Sequence, residues 1–155
     1  MLDFVDITKD NVHLHCRFDR DFENELDKFQ NKIYPDNSDF FTVLISNGLL
    51  RWSYLFYGGK LIGAIWLEKE HSCLPVATLG IFIADKNYRC KGIGERAIKE
   101  YIARNKKDLK LKEVNLQVRK ENIRAIKCYE KCGFAAEKEY ELSNGQRVID
   151  MSKSV

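Results

Sequence analysis

Two closely spaced glycines in a basic loop are the clearest chemical signal in this 155-residue sequence. The loop consists of Arg89, Cys90, Lys91, Gly92, Ile93 and Gly94. Glycines let the backbone turn tightly, so that its N–H groups can line a concave nest for an anion. The residues that follow have helical apolar spacing, and the positive end of that helix would point at the same place. The pattern predicts a site for a phosphorylated cofactor, although a loop that only begins a helix can have the same residues.

The same glycines also fit the G-x-G-x-x-A form of the dinucleotide-binding fingerprint, which is a weak signal alone. In that fold the strand runs almost directly into the first glycine, whereas here the polar residues 85–91 intervene. The acidic residue expected at the end of the following strand is replaced by Arg119. No Gly-Lys-Ser/Thr follows at the spacing of a P-loop. A nicotinamide cofactor is therefore disfavoured, and a P-loop is excluded.

A second group of residues with chemistry begins at Asn122 and ends at Gly133. Asn122 can cap a helix, and Gly133 is a natural helix end. Tyr129 lies between them on the same face as Ile126. This spacing is typical of a packed core aromatic. A tyrosine hydroxyl beside a bound substrate can instead act as a general acid.

The remaining segments predict one α/β domain with a mixed sheet that positions these residues. Apolar alternation predicts strands at 1–8, 50–57, 60–67, 76–84 and 114–118, and a closing hairpin at 134–142 and 147–151. The middle three of these form an antiparallel meander, with Gly58-Gly59 at its first turn. Helices are predicted from Phe22 to near Pro35, from about 37 to 45, and after Gly92 and Asn122.

Composition excludes several classes of partner. The chain is 45% hydrophobic and 32% charged, which describes an ordinary globular domain, and its net charge of +3 is too balanced to predict a nucleic-acid partner. The N-terminus lacks the order of a signal peptide, and the apolar runs are too short to span a membrane. The five cysteines are irregularly spaced and form no zinc motif. We expect free thiols and a cytoplasmic location.

The glycine loop and the later Asn-x-x-Ala-x-x-x-Tyr-x-x-x-Gly-Phe pattern together resemble the GNAT superfamily of acyl-CoA-dependent N-acetyltransferases. The resemblance is specific from Ala77 to Phe134 and looser elsewhere. It implies a single α/β (α+β) domain over residues 1–155: a mixed, mostly antiparallel twisted sheet of about six or seven strands with helices on both faces. It also implies direct transfer of an acetyl group from acetyl-CoA to a primary amine of a small molecule or a peptide. Homodimers are common in the family, although no residue here indicates a dimer surface.

The resemblance also implies roles for individual residues. The backbone of Phe82, Ile83 and Ala84 would pair with the pantetheine arm as an added strand would. The N–H groups of Cys90, Lys91, Gly92, Ile93 and Gly94 would hold the pyrophosphate, with Arg89 and Lys91 adding positive charge. Asn122 would hydrogen-bond the cofactor arm, and Arg124 or Lys127 would reach its 3′-phosphate. Tyr129 would protonate the departing thiolate.

The sequence shows no clear general base. In the ribosomal-protein alanine N-acetyltransferases a glutamate serves as base at the position that Gln117 occupies here, and glutamine cannot take a proton. The remaining candidates are Glu68, Glu70, His71 and Asp85, each also typical of a solvated charge at a strand end. A covalent route through Cys90 lacks a readable base–nucleophile pair. The missing base keeps open a non-catalytic acyl-CoA-binding module as the alternative.

The acceptor is not identified by the sequence. Four aromatic residues could line an acceptor pocket, but all four also fit an ordinary core: Trp52, Tyr54, Trp66 and Tyr140. The amine could belong to a polyamine, an amino acid, an antibiotic or a protein.

Overall fold

The fold of residues 1–17 and 45–155, the part that the computed structural model describes, is a seven-stranded sheet with helices packed on it. The strands are β1 (Leu2–Asp6), β2 (Leu50–Tyr57), β3 (Lys60–Glu68), β4 (Val76–Ile83), β5 (Glu113–Arg119), β6 (Ala135–Glu141) and β7 (Arg147–Ser154). The helices are α1 (Ile93–Asn105) and α2 (Ile123–Lys131), and short 3-10 turns occupy Val12–Arg17 and Lys86–Tyr88. The helices predicted between residues 22 and 45 lie almost wholly outside the described residues.

The strand order is β1-β2-β3-β4-β5-β7-β6. Only β4 and β5 run parallel, and every other neighbouring pair is antiparallel. The predicted mixed, mostly antiparallel sheet is confirmed, and so are the β2–β3–β4 meander and the closing hairpin. The last strand inserts between β5 and β6, which brings residues of β7 directly beside β5.

The parallel pair is short. Pairing between β4 and β5 runs only from Val76↔Glu113 to Thr78↔Asn115. Both strands continue beyond this point, to Ile83 and Arg119 respectively. The two strands therefore diverge, and a gap opens in the middle of the sheet.

Both described helices pack on one face of the sheet, which we call the helix face. Their apolar residues, such as Ile98 and Tyr129, share one buried cluster with Leu67 and Val114. Inside this cluster the Tyr101 hydroxyl lies 3.0 Å from Ser53 Oγ. Burial raises the pKa of Tyr101, so it keeps its proton over the physiological pH range.

The opposite face carries a separate aromatic cluster. Trp52, Tyr54, Trp66 and Phe82 are buried there and pack together. The sequence allowed Trp52, Tyr54 and Trp66 to line either an acceptor pocket or the core. The structure shows that they are core residues. Residues Val12, Leu14 and Ile45 cover the cluster. The family resemblance implies helices on both faces of the sheet, and the described helices lie on the helix face only.

Gly80 on β4 has no room for a side chain. A Cβ built at Gly80 would lie 2.0 Å from two ring carbons of Trp66. Both residues are buried, and the indole also packs against Phe82 at a centroid distance of 6.3 Å. The glycine therefore lets the indole lie flat against β4 on this face.

We predict that Gly80→Ala lowers the free energy of unfolding by about 1–3 kcal/mol, because the methyl group must displace a packed ring. Chemical denaturation followed by far-UV circular dichroism measures this. Trp66→Phe completes a double-mutant cycle. In the Trp66→Phe background, Gly80→Ala should lower the free energy of unfolding by less, because the indole is absent. A wild-type stability for Gly80→Ala would contradict the steric account.

Candidate active site

A cavity of about 370 Å³ fills the gap between the diverging strands. The end of β4, the glycine loop, the start of α1, the length of α2 and the end of β5 all contribute to it. Its lining includes Ile81, Phe82, Ile83, Ala84, Arg89, Cys90, Gly92, Gly94, Val118, Arg119, Asn122 and Tyr129. The structure thus brings together residues that lie far apart in the sequence, including most of those predicted to bind a cofactor.

The edge of β4 that faces the gap carries backbone hydrogen-bonding groups. The Ala84 N–H donates to Ile62 O on β3 at 2.8 Å. Because successive residues of a strand direct their polar groups to alternate edges, those of Ile83 point toward the gap. This edge can accept an extended ligand in the manner of an added strand. The Ala84 N–H is engaged within the sheet and does not face the ligand.

The glycine loop ends in a bare helix N-terminus. Gly92 occupies the N-cap position with φ 75° and supplies no side-chain cap, and Cys90 also has a positive φ of 58°. The first hydrogen bond of α1 is donated by Arg96 N–H to Gly92 O at 3.0 Å. The N–H groups that precede it in the first turn have no intrahelical acceptor. Together with the helix dipole they favour an anion at this end of the cavity.

Arg89 links the loop to the strand. Its Nε donates to Ile83 O at 2.7 Å, and its Nη2 donates to Ala84 O at 3.2 Å. The guanidinium, which was expected to supply mobile charge, is held at the end of β4. Lys91 is exposed and lies outside the cavity lining. The other basic side chains that line the cavity come mainly from α2, where Arg124 and Lys127 were predicted and Lys131 was not.

The first residue before α2 has the predicted capping role. Asn122 Oδ1 accepts a hydrogen bond from the Ala125 N–H at 3.2 Å, which confirms the N-cap. Tyr129 is 8% exposed, and its ring packs edge-on against Phe134 at 6.1 Å. The same ring lines the cavity. The two interpretations of Tyr129 are therefore compatible in this fold, since it is a packed aromatic with one side on the cavity.

The cavity also contains a thiol that sequence reasoning did not single out. Cys128 on α2 lines it, and a Cβ built at Gly94 would lie 3.6 Å from its Sγ. A hydrogen bond with buried Cys132 lowers the pKa of Cys128, and the same pairing with burial raises the pKa of Cys132. The thiol whose pKa is lowered is therefore the cavity residue Cys128, whereas the sequence had directed attention to the exposed Cys90.

The acids proposed as bases do not reach the gap. Burial raises the pKa of Glu68, but this residue pairs with Thr78, at the closed end of β4. Asp85 lies near the open end, where a hydrogen bond from Lys60 at 2.7 Å lowers its pKa. Glu70 and His71 are exposed in the β3–β4 connection, beyond that closed end.

A polar cluster lies beside the gap on the face opposite the helices. Gln117 Nε2 donates to Tyr140 Oη at 2.5 Å and to Asp150 Oδ1 at 3.4 Å. Tyr140 Oη donates to the same Asp150 oxygen at 3.3 Å. Asp150 was missed in the sequence because only the register Gln117↔Asp150 between β5 and β7 brings it there.

The described residues indicate neither a metal site nor a membrane span. Within residues 1–17 and 45–155 no three His, Cys, Asp or Glu side chains form a group that could hold a metal ion. Neither described helix is long and apolar enough to cross a bilayer.

Comparison with known proteins identifies relatives that are N-acetyltransferases. A stretch of 87 residues, 56% of this chain, is 30% identical to the probable spermine N(1)-acetyltransferase of Bacillus subtilis subsp. natto and covers 49% of that protein. A stretch of 80 residues, 51% of the chain, is 36% identical to N-alpha-acetyltransferase 30 of Dictyostelium discoideum and covers 43% of it. The chain spans about half the length of these relatives.

The fold matches solved acetyltransferases. Spermidine N-acetyltransferase from Vibrio cholerae in complex with CoA and spermine superimposes with a TM-score of 0.76 at 18% identity, over 99% of this chain and 95% of that one. A dodecameric structure of the same enzyme gives a TM-score of 0.77 at 18% identity, over 99% and 93%. The profile of the acetyltransferase (GNAT) family matches residues 11–134. The chain therefore belongs to the GNAT acetyltransferase family.

Proposed function

We propose that this protein is an acetyl-CoA-dependent N-acetyltransferase whose acceptor is a primary amine of an aliphatic polyamine. The observation that carries the proposal is the gap between β4 and β5, which ends at the bare N-terminus of α1. Polyamines are proposed because the relatives include spermine and spermidine N-acetyltransferases. The relative that is an N-alpha-acetyltransferase makes a protein N-terminus the second candidate acceptor.

The residues around the gap fit the cofactor in three respects. Gly92 and Gly94 keep the loop free of side chains where a pyrophosphate would contact the N–H groups of residues 90–94. The edge of β4 that faces the gap, with the backbone groups of Ile83, suits the amide-containing pantetheine arm, whereas Phe82 and Ala84 direct their backbone groups toward β3. The basic residues on α2 suit a terminal phosphate. Arg89 acts in this proposal by holding the loop against β4, and Asn122 by fixing the start of α2 beside the arm.

The chemistry requires two groups from the chain. When bound, acetyl-CoA supplies the acetyl group as a thioester that a neutral amine can attack, forming the C–N bond as the C–S bond breaks. Ile83 N–H faces the gap and is placed to donate to the developing carbonyl oxyanion. Tyr129 Oη gives its proton to the departing sulfur, as a general acid. The proton released by the amine leaves through solvent, because none of the four predicted bases reaches the gap.

We also propose a cytoplasmic location. The cysteines of the described residues, namely Cys73, Cys90, Cys128 and Cys132, are all free thiols. Free thiols persist in reducing compartments.

We predict that Tyr129→Phe lowers kcat for spermidine acetylation at least ~100-fold, because a general acid contributes about that much. CoA affinity should stay at the wild-type value, since the ring and its packing are kept. Detection of free CoA thiol measures turnover, and calorimetry measures CoA binding. Tyr88→Phe, which removes a hydroxyl outside the cavity, is the control. Unchanged turnover would remove Tyr129 from the chemistry, and CoA binding without turnover of any amine would favour a non-catalytic acyl-CoA-binding module.

We predict that Gly94→Ala weakens CoA binding roughly tenfold, or ~1.4 kcal/mol, without lowering stability. The added Cβ makes only ordinary contacts, at 3.6 Å to Cys128 Sγ and 3.7 Å to the end of the Ile83 side chain, but it projects into the cavity. Calorimetric titration with CoA and thermal unfolding test the two effects.

Gly145→Ala is the matched control for this variant. Gly145 has φ +83° in an open turn far along the chain from the cavity. Alanine there should lower stability and leave CoA affinity unchanged. Wild-type CoA affinity for Gly94→Ala would contradict pyrophosphate binding at the loop.

A further inference from the structure

The face of the sheet opposite the helices has an opening where β4 and β5 separate. Where the pairing ends on this face, Thr78 Oγ1 donates a hydrogen bond to Asn115 Oδ1 at 2.8 Å. The next residue of β5 on that face is Gln117. Continued pairing would place it opposite Gly80, where the Trp66 indole lies against the backbone. On this face the gap is therefore flanked by Gly80, with the buried Trp66 indole against it, and by the Gln117 amide.

Behind this amide lies a carboxylate that forms no ion pair with any residue of 1–17 or 45–155. Asp150 is half-buried, and the groups in contact with it are the neutral donors of Gln117 and Tyr140. Within the part of the chain that the structure describes, no Lys, Arg or His nitrogen lies within 4.0 Å of it. Lys138 is paired with Asp150 in register, but its Nζ lies over the Tyr140 ring, 5.2 Å from the centroid.

Neutral hydrogen-bond donors surround the Asp150 carboxyl group. Burial, together with the Asp150 carboxylate, raises the pKa of Tyr140, so its hydroxyl stays protonated and donates to that carboxylate. A partly desolvated carboxylate with neutral neighbours attracts a cation from solution more strongly than an exposed one does. The chain itself offers no such cation among the described residues, so a bound ligand can supply it.

The position of Asp150 relative to the gap indicates which part of a bound ligand would contact its carboxylate. Gln117 and Arg119 lie on the same face of β5, about 6–7 Å apart along the strand, and Arg119 lines the cavity. Asp150 lies one further strand away, about 5 Å from Gln117. A nitrogen that reacts in the gap would therefore lie several methylene groups from a nitrogen that contacts Asp150.

We propose that Asp150, held by Tyr140 and Gln117, binds the distal ammonium group of a diamine or polyamine acceptor. This proposal rests on the proposed function, because it takes the gap as the place where the reacting amine enters. The aliphatic stem of the acceptor then crosses the gap beside Gly80 and the Trp66 indole. Asp150 is a specificity residue in this arrangement, and it takes no proton in the reaction.

Equilibrium binding tests the subsite without relying on turnover. Putrescine and butylamine, which share one carbon chain and differ in the distal nitrogen, are titrated calorimetrically into the full chain in the presence of CoA. The wild type should bind putrescine more tightly than butylamine. Asp150→Asn should remove most of that preference, roughly a tenfold loss in putrescine affinity or ~1.4 kcal/mol, while butylamine affinity is unchanged.

Two further variants keep the test specific. Glu141→Gln removes the same charge from an exposed residue of the neighbouring strand β6 and should leave the preference intact. Tyr140→Phe removes one donor from the Asp150 carboxylate and should reduce putrescine affinity less than Asp150→Asn does. CoA affinity and the unfolding midpoint report whether each variant is folded.

The outcomes separate this proposal from the proposed function. Equal putrescine affinity in the wild type, Asp150→Asn and Tyr140→Phe would overturn the subsite even if amines are acetylated. An Asp150-dependent preference for putrescine in a protein that acetylates no amine would support the subsite and refute the enzymatic function.

Discussion

The brevity of the single parallel strand pair is the constraint on which the rest of the structure depends. β4 and β5 are linked through α1, which is the crossover connection that parallel neighbours require. Pairing ends at Thr78↔Asn115, and each strand then continues alone. Unpaired strand edges inside a protein need other partners. The gap therefore has the backbone donors and acceptors of β4 along one side and the bare N-terminus of α1 at its end.

The sequence predicted the elements that depend on local chemistry. The glycine loop, the Asn122 cap, the β2–β3 turn and the closing hairpin all follow from residue types at fixed spacing. It also predicted which residues converge on the cavity, because a family resemblance relates the loop to the start of the later helix. Tyr129 as general acid stays a prediction, since its burial and cavity position suit both interpretations.

What the sequence could not predict depends on long-range geometry. Asp150 meets Gln117 only through the β5–β7 register, and a shift by one residue would turn it to the other face. Arg89 was expected to add positive charge to the loop, and the structure shows its guanidinium donating to two carbonyls at the end of β4. The lowered pKa of Cys128 depends on a hydrogen bond with Cys132 one helical turn away, which composition does not reveal.

In this account the two faces of the sheet bind different substrates. The helix face carries the loop, the basic residues of α2 and Tyr129, and so serves the acyl donor. The opposite face carries the Trp66–Gly80 contact and the Asp150 cluster, and so serves the acceptor. Under the proposed function, donor and acceptor would meet at the gap between β4 and β5. This arrangement explains why a buried aromatic core and a half-buried carboxylate occur on the same face.

The most direct test of the central claim is a titration with CoA followed by backbone amide chemical shifts in nitrogen–proton correlation spectra. If the gap is the cofactor site, the largest shifts belong to Ile83 and to residues 90–94, and the remote β6–β7 turn at Gly145 stays unshifted. Saturable CoA binding that leaves the amides of Ile83 and of residues 90–94 unshifted would contradict the account.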